Sequence, residues 1–126
     1  MTSLTSQAAN QLANFSATDD DNIVILTIQQ SRKMNVLDEH FSNDLEKIAQ
    51  SFIEDKDSKG LIITSDKDSF IVGADIGQFA NIQSPKQAFD FVEHFKKVLR
   101  SLETCGKPVV AALTGTALGG GLEVAL

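Results

Sequence analysis

The chain has 126 residues, enough for one domain with a real core, and its 42% hydrophobic and 22% charged content is that of an ordinary globular protein. Its net charge of −6, from 11 basic and 17 acidic residues, lacks the basic footprint of a general nucleic-acid binder, yet leaves room for a phosphorylated small ligand held by a few local cations. Cys105 is the only cysteine, so no intramolecular disulfide can form and a reducing, cytoplasmic setting is the simplest reading; between a helix and a strand it reads as packing rather than as a nucleophile.

Residues 1–16 are rich in Ser, Thr, Gln, Asn and Ala and read as a mobile or loosely docked segment, with the folded domain running over 17–126. They have neither the basic start nor the apolar stretch of a signal peptide. Asp19-Asp20-Asp21-Asn22 signals a turn, and the β-branched run 23–28 reads as a buried strand. A polar loop with Arg32 and Lys33 follows. From Leu37 the period changes: Leu37, Phe41, Leu45, Ile48, Ala49, Phe52 and Ile53 lie on one face of a helix. A charged turn ends at Gly60, and 61–64 is a second short strand. Strand, helix and strand at this spacing favour an α/β fold.

The stretch Phe70-Ile71-Val72-Gly73-Ala74-Asp75-Ile76 places a glycine amid apolar residues, which suits a bulge or a loop that exposes backbone. Ser84-Pro85-Lys86-Gln87 is a helix start: a capping serine, a proline at the first helical position and a glutamine to complete a capping box. The helix that follows presents Ala88, Phe91, Val92, Phe95, Val98, Leu99 and Leu102 on one face and ends at Gly106. Residues 109–113 form the third predicted strand. They are too short, like residues 23–26, to cross a membrane.

The chemistry-bearing stretch is the last one, Gly115-Thr116-Ala117-Leu118-Gly119-Gly120-Gly121-Leu122-Glu123. The first N–H groups of a helix lack internal partners and carry partial positive charge. Glycines there let a ligand oxygen approach without meeting a Cβ. Glu123 lies three residues after Gly120, hence on the same helical face. A carbonyl held by the Gly120 N–H would lie near a carboxylate able to move a proton or orient water. The alternative is a close contact between helix and strand, with Glu123 a solvated acid of the first turn. Residues 72–75 form a second glycine loop, and an oxyanion hole needs two converging donors. Phosphate-loop and nucleophile-elbow motifs are absent from the sequence. His40 and His94 sit on predicted helices beside acidic residues and read as solvated rather than as metal ligands, so no metal site is expected.

These blocks, in order, resemble the crotonase (enoyl-CoA hydratase/isomerase) superfamily: residues 70–76, then Lys107-Pro108-Val109-Val110-Ala111-Ala112, then 115–123, with Met34-Asn35-Val36-Leu37-Asp38 similar to the family's Asn-x-Leu segment. The resemblance covers about 23–126. It is strongest to the α subunits of multifunctional fatty-acid oxidation complexes, in which a hydratase domain precedes a 3-hydroxyacyl-CoA dehydrogenase domain. It implies a ClpP/crotonase-like α/β spiral of ββα units, here truncated. It further implies that the Ala74 and Gly120 N–H groups hold the thioester carbonyl of a 2-enoyl-CoA. Glu123 would be one of two acid/base glutamates. Arg32, Lys33, Ile71 and Val72 would lie near the CoA moiety, with Gly73 and Gly119 lining the substrate site.

The hydration step needs no cofactor beyond its CoA thioester substrate, NAD belonging only to the dehydrogenase domain, and the assembly implied is a homo-oligomer or a pairing with a thiolase β subunit. The second glutamate is expected beyond Leu126, so the 126 residues alone are expected to hydrate poorly. An acyl-CoA-binding module or non-catalytic scaffold is the alternative. A serine protease on the related fold lacks its nucleophile, because the helix start carries only Gly and Leu.

Overall fold

A computed structural model of the chain describes residues 2–73 and 84–126. The elements run in the order α1 (Leu4–Asn10), β1 (Phe15–Asp20), β2 (Ile23–Ile28), α2 (Glu39–Glu54), β3 (Gly60–Ser65), α3 (Pro85–Glu103), β4 (Val109–Ala111) and α4 (Gly120–Ala125). The strands form one sheet in the order β1-β2-β3-β4. β1 and β2 are an antiparallel hairpin closed at Asp20↔Ile23. Its two turn residues, Asp21 and Asn22, have φ of 52° and 68°, the left-handed backbone that a tight hairpin turn requires and that Asp and Asn tolerate. β2 lies parallel to β3, and β3 parallel to β4. Parallel neighbours need a crossover, which α2 supplies for the first pair and the segment containing α3 for the second.

In β2 the side chains of Val24, Leu26 and Ile28 are fully buried, alternating with half-buried neighbours. α2 lays Phe41, Leu45, Ile48, Ala49 and Phe52 against the sheet. Phe15 of β1 and Phe41 pack with ring centroids 5.3 Å apart. Asp38 caps α2 by accepting from the Phe41 N–H at 2.8 Å. At the other end Lys107 Nζ donates to the Phe52 and Asp55 carbonyls at 2.6 and 2.5 Å and lies 4.5 Å over the Phe52 ring.

The opening residues differ from the expectation of a loosely docked segment. Leu4–Asn10 is a helix with Thr5, Ser6 and Ala9 buried, and the folded unit reaches back well before residue 17. The small polar side chains that suggested a tail are its anchors. The Ser3 N–H and Ser3 Oγ donate to Asp19, each at 2.7 Å, and Ser6 Oγ donates to the same carboxylate at 2.9 Å. The Thr5 N–H and Oγ1 donate to Asp55, at 3.1 and 2.9 Å. Asn10 bonds the Ala17 backbone at both its N–H (2.9 Å) and its carbonyl (3.0 Å), pinning α1 to β1. Burial pushes the Asp55 carboxyl up, but donors from Ser58, Thr5 and Asp57 outweigh it and hold it down at about 2. Asp19 is also lowered: burial and the Asp55 charge act against it, and hydrogen bonds from Ser3 and Ser6 prevail.

Two further expectations shorten. The α3 stripe is buried at Phe95, Val98 and Leu102, while Val92 is 47% exposed; an apolar face is covered only where another element faces it, and α2 packs against α3. β4 ends at Ala111 rather than at residue 113 because its pairing to β3 stops at Ile63↔Ala111. One more bond, from the Ala112 N–H to the Ile63 carbonyl at 2.8 Å, precedes the departure of the chain. Ser84 caps α3 as the sequence indicates, accepting from the Gln87 N–H at 3.1 Å.

Candidate functional site

Three segments without regular secondary structure meet at the end of the sheet. They are the loop around residues 30–37, residues 70–73, and residues 115–119 leading into α4. Residues 70–73 are the middle layer. On one side the Val72 N–H donates to the Asn35 carbonyl at 3.0 Å and the Leu37 N–H donates to the Gly73 carbonyl at 2.8 Å. On the other side the Phe70 N–H donates to the Thr116 carbonyl at 2.9 Å, and the Leu118 N–H donates to the Ile71 carbonyl at 3.0 Å. Phe70 and Ile71 have no exposed surface, so this layer is locked by burial as well as by backbone bonds.

The glycines divide the work of the junction. Gly73 and Gly119 have φ of 114° and 53°, conformations that L side chains resist. A Cβ on Gly119 would stand 3.7 Å from the Gly73 Cα, so the two turns sit directly against each other. Gly121 is needed for a different reason: a Cβ there would lie 2.0 Å from the Ile71 carbonyl oxygen. A Cβ on Gly115 would lie 1.9 Å from the Asp68 carbonyl oxygen. Gly121 is thus a tight contact between helix and loop rather than between helix and strand, and Gly119 is a turn that only glycine makes easily. Gly120 opens α4 and Glu123 lies in its first turn, exposed to solvent.

Residues 18–126 match the family model described as enoyl-CoA hydratase/isomerase. The chain belongs to that family. Over 109 residues it is 41% identical to the fatty acid oxidation complex subunit alpha of Shewanella frigidimarina, an alignment covering 85% of this chain and 15% of that protein. An enoyl-CoA hydratase from Bacillus anthracis superposes with a TM-score of 0.82 at 26% identity, over 89% of this chain and 44% of that one. The enoyl-CoA hydratase of Shewanella pealeana, at 20% identity, shares the fold with a TM-score of 0.85 over 95% of this chain and 46% of that one. The chain thus spans about 15% of the oxidation-complex subunit and under half of these hydratases. The ClpP/crotonase-like α/β fold is the one expected from the resemblance.

In this enoyl-CoA hydratase/isomerase chain, Ile71, Val72, Gly73 and Gly119 come together at the junction, with Gly120 and Glu123 on the adjoining turn of α4. Ala74, the expected second oxyanion donor, lies outside the described residues. Arg32 and Lys33 stand on the neighbouring loop. Arg32 lies 3.6 Å from Asp38 in an ion pair. It lines a polar cleft of about 440 Å³ with Gln11, Asn14, Gln30, His40 and Asp44, none of which belongs to the glycine loops. His94 Nε2 contacts Glu46 Oε2 at 2.5 Å across α3 and α2. Among the described residues no cluster of three metal-ligating side chains occurs, and no helix is long and apolar enough to cross a membrane.

Two residues that organise this junction were not singled out for a role from sequence. Gln30, 5% exposed, bonds the Val36 backbone at both the N–H (3.1 Å) and the carbonyl (2.8 Å), closing the loop that carries Arg32 and Lys33. Asn35 is fully buried, and its amide donates to Ser65 Oγ at 2.7 Å and to the Phe70 carbonyl at 2.9 Å. Their signal in the sequence is a side-chain amide at each end of a polar loop that must close between a strand and a helix.

Proposed function

We propose that the chain supplies the first half of an enoyl-CoA hydratase site, acting on 2-trans-enoyl-CoA in fatty acid β-oxidation as part of a multifunctional α subunit. The observation that carries this reading is the hydrogen-bonded junction of the two glycine loops, with residues 70–73 locked between residues 35–37 and 116–118. Ala74 directly follows one loop and Gly120 opens the helix after the other, so two N–H groups converging on one thioester oxygen is the arrangement the junction favours.

Hydration adds the oxygen of water to Cβ of the enoyl group and a proton to Cα. As the C–O bond forms, negative charge moves onto the thioester oxygen. Two fixed N–H donors stabilise that charge, and losing one typically costs about 3–4 kcal/mol of barrier. Glu123, within the first turn after Gly120, holds the water and takes its proton. The family's reaction uses a second glutamate, and the resemblance matches only Glu123 within this chain. Binding of an acyl-CoA without turnover is therefore the second reading. The proposal includes Arg32 and Lys33 near the CoA phosphates, no cofactor for hydration, NAD only for a dehydrogenase domain, a cytoplasmic setting, and a homo-oligomeric or thiolase-paired parent protein.

The test is calorimetric titration with crotonyl-CoA, beside a hydration assay on the same chain and on Glu123→Gln. Binding with slow hydration that Glu123→Gln abolishes supports the hydratase reading. Binding with no hydration in either supports the binding module. Fast hydration that survives Glu123→Gln, or no affinity for the thioester, sinks the assignment of Glu123 or of the site.

A further inference from the structure

Among the described residues, Asn35 is the one side chain that hydrogen-bonds the middle layer of the junction from outside it. Phe70 has its N–H committed to Thr116, and its carbonyl accepts from the Asn35 amide. The other hydrogen of that amide goes to Ser65 Oγ, at the end of β3, which also accepts from the Lys67 N–H at 3.0 Å. The Asn35 carbonyl accepts from Val72, two residues further on. One buried residue thus ties the end of β3 to both ends of the segment that carries the first glycine loop. Asn35 Oδ1 is buried and finds no donor among the described residues. A packing role alone gives no reason to bury an acceptor unmatched, whereas the two amide donors do give one.

We propose that Asn35 is a positioning residue: through Phe70 and Val72 it sets where residues 70–73 lie, and so aligns the two glycine loops on the thioester carbonyl. This rests on the hydratase reading above. Its hydrogen bonds among the described residues go to Ser65, Phe70 and Val72, so its effect passes through the backbone of residues 70–72. Removing its amide takes away the donor to the buried Phe70 carbonyl, and among the described residues the middle layer is then held from the Asn35 side by backbone bonds alone.

The test is isotope-edited infrared spectroscopy of crotonyl-CoA carrying a labelled thioester carbonyl, bound to the unmodified chain, to Asn35→Ala and to Ser65→Ala. Amide hydrogen exchange is measured on each. The unmodified chain is expected to lower the carbonyl stretch relative to free thioester. Asn35→Ala is expected to bind the thioester yet lose most of that shift. Exchange at the Val72 and Leu118 amides should quicken about tenfold or more, while Leu45 and Ile48 of α2 keep their protection. A merely structural loss would move all of these amides together. Ser65→Ala, which leaves the Phe70 bond intact, should lose part of the shift, and it decides the matter if Asn35→Ala fails to fold. A shift and exchange pattern unchanged in the folded variants overturns the positioning role and leaves the hydratase reading standing. No shift or no binding in the unmodified chain overturns that reading, and the positioning role falls with it.

Discussion

The two ends of the chain are docked by opposite means. α1 is held by side chains: hydroxyls and backbone N–H groups of residues 3–6 converge on the carboxylates of Asp19 and Asp55. The turn into α4 is held by the lack of side chains. There Gly121 lets the helix touch the Ile71 carbonyl, and Gly73 and Gly119 adopt left-handed backbone. The first region is weakened by deleting atoms, the second by adding them. A polar, serine-rich stretch can therefore be well ordered, and a glycine-rich one can be among the most constrained parts of a fold.

The sharpest way to break the comparison is one methyl group. Gly121→Ala puts a carbon where the Ile71 carbonyl oxygen leaves no room, and we expect a loss on the order of 3 kcal/mol or more in urea unfolding, with thioester binding lost as α4 is pushed away. Gly106→Ala is the control: nothing lies within 4 Å of its added carbon and only the φ of 84° opposes it, so about 1 kcal/mol is expected. A loss at Gly121 no larger than at Gly106 would mean that the contact with the Ile71 carbonyl relaxes at little cost.

At the other end the effect comes from deletion. Asp55 is 1% exposed and accepts from Thr5, Ser58 and Asp57. Asp55→Ala leaves those donors unpaired and should cost about 2–4 kcal/mol, with amide exchange in α1 rising to the rate of a frayed helix. The same carboxylate gives a pH signature. Its folded value lies below its unfolded one, so its stabilisation is fully present above about pH 4 and is lost as the pH falls through about 2. The stability at stake is about 2 kcal/mol, with Asp19 adding in the same direction. Acid titrations of unfolding free energy should show this limb, and Asp55→Asn should flatten it.

The smallest effect is expected at Glu123. It is exposed in the first turn of α4, where its charge favours the helix N-terminus by a few tenths of a kcal/mol. Glu123→Gln should leave thermal unfolding within about 0.5 kcal/mol of the unmodified chain. A large destabilisation would make Glu123 a structural residue and remove the ground for assigning it chemistry.

Much of the scaffold was legible because burial imposes a period. The run 23–28 is β2 to the residue, and the face from Phe41 to Phe52 is the buried face of α2. Ser84 and Pro85 open α3 as their chemistry requires. β1 was missed because only Phe15 and Ala17 of its six residues are buried, too sparse an alternation at a sheet edge. α1 was missed because its docking is polar, and polar composition alone does not tell a solvated tail from a hydrogen-bonded helix. At the candidate site the glycine loops were legible as loops, but what each glycine is for was not.

The sequence by itself determined the α/β class, through apolar period and capping chemistry, whereas the family and the residues proposed for chemistry came from the resemblance of its glycine-containing blocks to enoyl-CoA hydratases/isomerases. Only the tertiary structure decided that residues 70–73 are a shared middle layer, that Gly121 is a contact and Gly119 a turn, and that Asn35 and Gln30 close the junction. Apart from the local Gln30–Val36 closure and the turn at Gly119, those facts are contacts between residues about 30 to 50 positions apart in the chain, and no local pattern carries them, because the hydrogen bonds that set them form only after the sheet and its helices have brought the segments together.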